Sequence, residues 1–215
     1  MEQPDPRRPA RRRLLTGAAA LTASAALTPL ATATSGAAAA TGRRTPFGSG
    51  YPARQWVPAS PSNYTAADRP TQYPVEMVVI HVTQETYAHT LKLFANPAHK
   101  AAAHYVLRSA DGHLAQCVSE RNVAWHAGNW DYNTRSIGIE HEGWIDDPAW
   151  FTDTLYARSA RLTAAICDRY SIPKDREHII GHVEVPGSDH TDPGQFWDWP
   201  RYLQLVNGLS WRTGL

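Results

Sequence analysis

Hydrophobic and polar positions alternate along this chain with two different periods, and the changes of period mark its elements. Val75–Thr83 (VEMVVIHVT) is a nearly continuous apolar run rich in β-branched residues. Such a run predicts a strand covered on both faces. Thr86–Asn96 then places Leu91, Phe94 and Ala95 at helical spacing, and Pro97 stops it. His104–Leu107 and His113–Val118 flank the turn Ser109–Gly112 and predict a hairpin or neighbouring strands. Arg135–Glu142 (RSIGIEHE) alternates with period two. Pro148–Tyr170 is the longest predicted helix, with Trp150, Leu155, Leu162 and Ile166 among its apolar positions. A short strand, His178–Ile180, and a last helix, Trp199–Asn207, complete the pattern. Strand, helix, strands, helix, strand, helix predicts an α/β domain: a single mixed β-sheet with helices packed on it.

Two segments do not follow this pattern. Residues 1–40 begin with Arg7, Arg8, Arg11, Arg12 and Arg13, continue through an Ala/Thr/Leu stretch to Leu30, and end in small residues around Ala38–Ala40. A basic start, an apolar middle and an Ala-x-Ala ending are the three parts of a secretory signal. Arg11–Leu15 resembles a twin-arginine export motif, which predicts removal of residues 1–40 and a secreted or cell-wall-associated product without a stable membrane anchor. Residues 41–74 are rich in Pro, Ser, Gly and aromatics and predict an extended segment wrapping the domain, anchored by Tyr51, Trp56 and Tyr64. The folded domain is expected over 75–215.

Composition narrows the chemistry. The 215 residues carry 21 Lys+Arg against 20 Asp+Glu, a formal charge of +1, which argues against a dedicated nucleic-acid binder. Without residues 1–40, which hold five arginines and two acids, the net charge is −2. Ten His and only two Cys suit a His/carboxylate metal site and exclude a zinc module held by four cysteines. In an oxidising compartment Cys117 and Cys167 are either a disulfide or two buried thiols. A monomer is the default expectation.

The histidines and acids fall at chosen places on the plan. His81 lies near the end of the first buried strand, His182 directly follows the short strand, and Asp192 comes ten residues later in HTDPG. Each has a plainer reading as a strand-end or turn residue. Together, two His and one carboxylate leave a fourth position open on a tetrahedral ion, and this borderline-soft donor set favours zinc. In the alternating strand, Ser136, Gly138, Glu140 and Glu142 share one face and Ile137, Ile139 and His141 the other. The isoleucines are predicted to face the core, and Gly138 to leave clear surface beside Glu140, where a carboxylate can take a proton from an attacking water. On alternation alone, Glu140 and Glu142 read better as solvated strand residues. Trp125, Trp130 and Trp144 fall on loops flanking the cleft, with Trp150 expected in the core. Trp130, His104 and His126 are candidates for substrate contact. His89, His99 and His113 are expected at the surface.

Five segments, VVIHVT, AAAHYVLRSADG, VAWHAGN, SIGIEHEG and IIGHVEVPGSDHTDPGQFW, resemble the zinc-dependent N-acetylmuramoyl-L-alanine amidases, the type related to bacteriophage lysozyme-amidases and peptidoglycan recognition proteins. The resemblance covers about residues 51–200 and implies a zinc cleft at the sheet edge, with one Zn²⁺ held by His81, His182 and Asp192. It implies Glu140 as the catalytic glutamate, since Ala103 stands where some members carry a tyrosine. His190 stands where relatives often carry Lys, two positions before the aspartate, and is expected to stabilise the oxyanion, protonated or as an N–H donor. The implied reaction is hydrolysis of the bond between N-acetylmuramic acid and L-Ala in peptidoglycan. A non-hydrolytic muropeptide-binding module and a zinc peptidase acting within the stem peptide are the alternatives, and the complete ligand set favours the hydrolase.

Overall fold

The computed structural model describes residues 50–208. The expected signal at 1–40 lies outside the described residues, as do the first nine residues of the wrapping segment. The elements, in order, are β1 (Gln55–Trp56), β2 (Tyr64–Thr65), β3 (Met77–Val82), α1 (Tyr87–Ala95), β4 (Tyr105–Leu107), β5 (Leu114–Gln116) and β6 (Val123–Ala124). Then come α2 (Trp130–Arg135), β7 (Ser136–His141), α3 (Asp153–Tyr170), β8 (Ile179–Gly181) and α4 (Trp199–Val206). Six strands form one mixed sheet in the order β1-β5-β4-β7-β3-β8, and β2 pairs with β6 in a separate ribbon. The four strands β4, β7, β3 and β8 run parallel, while β5 returns antiparallel to β4. Among the described residues no helix is long and apolar enough to cross a membrane.

The sheet sorts its side chains by the period of two. On one face Val78, Ile80, Val82, Ile137, Ile139, Leu107 and Ile179 pack against Leu155, Leu162 and Ile166 of α3 and Tyr202 of α4, forming the largest core cluster. All six residues of β3 are buried, as its unbroken apolar run predicts. On the other face the cover is thinner. Val106 and Ala115 pack against Tyr87 and Phe94 of α1, and Met77, Val79 and Ile180 against Ala127 and Val185. The remaining positions of that face carry polar chemistry.

Caps delimit the helices where the sequence suggests. Thr86 Oγ1 accepts from His89 N at the start of α1, and Thr152 Oγ1 from Leu155 N at the start of α3. Thr152 also moves the long helix's start: Pro148–Trp150 form a separate 3-10 turn, and the α-helix begins only at Asp153. Trp150 is therefore half-buried against Trp144, with ring centroids 4.9 Å apart, rather than a core residue of the helix. α3 ends on Ser171 in the left-handed conformation (φ 58°).

The wrapping segment is part of the fold rather than a strap over it. It contributes β1 to the sheet edge and β2 to the ribbon. Tyr51 packs against the main core and Tyr64 against the α1 side, whereas the Trp56 side chain, expected as an anchor, is 55% exposed. Cys117 and Cys167 are free buried thiols in different core clusters, so the disulfide alternative falls. Burial pushes both thiols up to about 12.

Candidate metal centre

Register brings the expected residues together. Parallel pairing of β3 with β7 sets His81 beside Glu140, and pairing of β3 with β8 sets Ile80 beside Gly181. One residue further along each strand come His81 and His182, so the two histidines stand level at the C-terminal ends of adjacent parallel strands. It is at such strand ends that α/β sheets commonly open a crevice. The loop after β8 then returns Asp192 to the same point. Its Oδ2 accepts from Val82 N at 3.2 Å, and its carbonyl accepts from Val183 N at 3.0 Å. Gly181 permits this return, because a Cβ there would stand 2.5 Å from Pro193 Cδ.

His81, His182 and Asp192 are all buried, and each offers a ligand atom within 4.8 Å of the others. His81 Nδ1 is 3.3 Å from Asp192 Oδ2, and His182 Nδ1 is 3.2 Å from Asp192 Oδ1. Burial opposes the Asp192 charge, but the His182 and His81 rings that face it outweigh this and hold its carboxyl well below the usual carboxylate range. Glu140 responds oppositely. Burial first, and the nearby Asp192 carboxylate second, push its carboxyl well above the ordinary value. Its Oε2 is buried without a hydrogen-bond partner, as is His182 Nε2. His190 stacks on His182 with centroids 4.1 Å apart and places Nδ1 3.5 Å from Asp192 Oδ1, its side chain 61% exposed. These residues line a cavity of about 760 Å³.

A family model described as N-acetylmuramoyl-L-alanine amidase matches residues 71–195, which include all five of these residues. The N-acetylmuramoyl-L-alanine amidase A of Achromobacter lyticus is 35% identical over 170 residues, covering 71% of this chain and 93% of the relative. The chain belongs to the N-acetylmuramoyl-L-alanine amidase family. The 1,6-anhydro-N-acetylmuramyl-L-alanine amidase AmpD of Escherichia coli (strain K12) is 38% identical over 121 residues, 53% of this chain and 63% of AmpD. A crystal structure of a selenomethionine derivative of AmpD superposes with a TM-score of 0.58 at 29% identity, covering 71% of this chain and 94% of the other.

The candidates for substrate contact in this amidase divide. Trp130, 52% exposed and edge-on to Tyr73, lines the cavity. Trp125 lines it too, its indole N–H donating to Thr65 Oγ1. His104 departs from the expectation of a substrate contact: it is fully buried, with Nδ1 accepting from Gly138 N and Nε2 against Arg69 Nη2 and the Asn122 carbonyl. His126 borders the cavity, but its two nitrogens face His81 Nε2 at 2.9 Å and Ser136 Oγ at 3.2 Å. The expected clear surface over Gly138 is in fact filled by the His126 ring, whose Cγ lies 2.5 Å from where a Cβ would stand. His99 is exposed at the cavity rim, His89 is exposed, and His113 is half-buried.

Three supporting residues of the amidase went unforeseen. Arg69 is buried beneath β7 and donates to the carbonyls of Glu120, Thr134 and Ser136. Glu142, rather than being solvated, is buried and accepts from Tyr87 N and Ser109 N, pinning α1 and the hairpin. His141 points into the apolar face but holds the His81 carbonyl through Nδ1 at 2.8 Å, with Nε2 2.6 Å from Ser159 Oγ. Burial lowers its imidazole to about 4. An ionisable residue on the apolar side of an alternating strand was the signal available for His141.

Proposed function

We propose that this amidase is a zinc enzyme, exported from the cell, that hydrolyses the amide bond between N-acetylmuramic acid and L-Ala in peptidoglycan. The observation that carries the reading is the buried His81–His182–Asp192 cluster beside the unpartnered Glu140 oxygen in the wall of the cavity. The donor set fits zinc. A tetrahedral ion with bonds of roughly 2.0–2.1 Å separates its ligand atoms by about 3.3–3.4 Å, close to the 3.3 and 3.2 Å between the histidine nitrogens and the Asp192 oxygens. Zinc bound there supplies a Lewis acid that polarises the scissile carbonyl and makes water acidic enough to attack near neutrality.

The chain's own residues do the rest. Glu140, one position across the sheet from His81, takes the proton of the attacking water at its free Oε2 and delivers it to the nitrogen of the departing L-Ala. A carboxyl held at raised affinity for protons is suited to both halves of that transfer. His190, exposed at the cavity and braced on His182, donates an N–H to the oxygen on which charge develops. Trp130 offers an indole face at the cavity wall for a sugar or an apolar part of the peptide. The basic and alanine-rich residues 1–40 support export.

Digestion of purified peptidoglycan by the zinc-loaded protein, read by mass spectrometry, tests this. Stem peptides with a free L-Ala amino terminus are the expected product. Glu140→Gln should retain zinc and lose about 10²–10⁴-fold in turnover, and chelation should abolish cleavage. Internal cuts within the stem peptide would instead identify a peptidase. Protein recovered from culture medium should lack about the first forty residues, and retention of the full chain in the cytoplasm would remove the export reading.

A further inference from the structure

His126 contributes neither a ligand atom nor a free nitrogen to the cavity, yet both its backbone and its ring are hydrogen-bonded. Asn133 Oδ1 accepts from both His126 N and Ala127 N, at 3.0 and 2.8 Å. Its ring lies in the space that Gly138 leaves, edge-on to His81 with an interplanar angle of 87°. The ring's two hydrogen bonds form a chain whose direction can be read from its far end. Ser136 Oγ is 2.5 Å from the Tyr132 carbonyl oxygen, a separation at which a proton must lie between the two. A carbonyl cannot donate, so the serine hydroxyl does, and its single proton is used there.

His126 Nε2, 3.2 Å from that hydroxyl, must therefore be the N–H that donates to it. In a neutral imidazole the other nitrogen is then bare, so His126 Nδ1 accepts, and the donor facing it at 2.9 Å is His81 Nε2–H. In the neutral His81 ring this leaves Nδ1 without a proton, and that is the atom 3.3 Å from Asp192 Oδ2. Reversing the chain would leave two oxygens 2.5 Å apart with nothing between them. It would also place a proton on the His81 nitrogen that faces the carboxylate, where an incoming cation would have to displace it.

We propose that His126 is a positioning residue, set by Ser136 and the Tyr132 carbonyl, that keeps the Nδ1 lone pair of His81 directed at the metal. The inference rests on the zinc reading of the centre but makes a claim of its own, about a tautomer that exists before any metal arrives. It gives the WHAG and SIG segments a shared task. One supplies the relay histidine, and the other supplies the serine that orients it and the glycine that makes room for it.

The test compares the full chain with His126→Leu, which keeps bulk and removes the acceptor, and with His126→Asn, whose Oδ1 takes the place of Nδ1. Zinc affinity is measured by competition with a chromophoric chelator. The histidine tautomers of the metal-free proteins are read from ¹⁵N chemical shifts, with near-ultraviolet circular dichroism as the check on folding. His126→Leu should bind zinc about 10–100-fold more weakly and move His81 towards the Nδ1–H form, and His126→Asn should recover most of both losses. Should His126→Leu not fold, Ser136→Ala breaks the same chain one link further from the metal, with a smaller loss in the same direction. An Nδ1–H tautomer for His81 in the unaltered protein, or unchanged zinc affinity in folded His126→Leu, would overturn the proposal. If the unaltered protein takes up no zinc, the metal reading falls, while the tautomer spectrum still decides the relay.

Discussion

At the scale of single residues the site is built by what its neighbours do not supply as much as by what they do. Glu140 Oε2 lacks a donor, in a face where Glu142, two residues on, has two backbone N–H groups. Identical side chains on one strand face thus have opposite tasks, one a pinned structural anion and the other a carboxyl open to proton transfer. Gly138 shows the same economy. A methyl group there would press on the His126 ring at 2.5 Å from Cγ and 2.6 Å from Nδ1, the atom facing His81. Gly138→Ala should therefore do two things at once. Overpacking of this kind typically costs about 1–3 kcal/mol, visible as a lower denaturation midpoint. Displacement of the ring should weaken zinc binding as well. A variant that loses stability but binds zinc normally would mean that the ring moves without disturbing His81.

At the scale of elements, Glu120 ties together parts of the chain that sequence patterns leave unrelated. Its buried carboxylate accepts from Tyr51 of the N-terminal segment, Tyr105 of β4 and Tyr170 at the end of α3. Burial, then the Glu120 charge, pushes the Tyr170 phenol up to about 12 from an ordinary 10.0, and raises Tyr51 and Tyr105 in the same sense. The folded state thus favours the protonated phenols. The Tyr170 contribution is complete below pH 10 and is lost as pH rises from there through 12, because the unfolded chain releases this proton first. Urea midpoints should fall between about pH 10 and pH 12 in the unaltered protein and fall less in Tyr170→Phe. Equal falls in both would show that the loss arises elsewhere. The same junction explains which elements were legible. β3, α1, β7 and α3 declare themselves through six or more residues of one period. β1, β2 and β6 are two residues each, too short to carry a period, and exist because partner strands fix them. α2 is six residues with a capping Asn129, legible only as a cap without a following stripe. The centre itself was legible in His81, His182 and Asp192, because strand ends bring them together. The support Arg69 was not, because it acts through backbone carbonyls that no side-chain pattern marks, and His141 showed only as an ionisable residue on the apolar side of its strand.

At the scale of the whole molecule, the sheet separates two interiors of different character. One face packs against α3 and α4 around a large apolar cluster, and the other holds the His81–His182–Asp192 cluster under a thin cover. The two thiols are divided by the same partition. Cys117 lies with Ala102, Ala103 and Val106 on the α1 side, and Cys167 lies on α3 among Ile166 and Leu162. A disulfide needs Cα atoms within roughly 7 Å, a condition that residues of separate core clusters on opposite sides of a sheet do not meet without rearranging the fold. A protein of this build therefore draws its stability from the core and not from a covalent link. Its denaturation midpoint should be the same with and without reductant. Both thiols should be silent towards a thiol reagent in the folded state, where burial raises them to about 12, and both should react once the chain is unfolded. Detection of a single reactive thiol in the folded protein would place one of the two cysteines outside the core, and a mass lower by two hydrogens after export would restore the bridge. The proposed twin-arginine export, if it operates, adds a reason to expect the reduced form: a chain that crosses the membrane already folded carries its buried thiols with it, closed off from the oxidants outside.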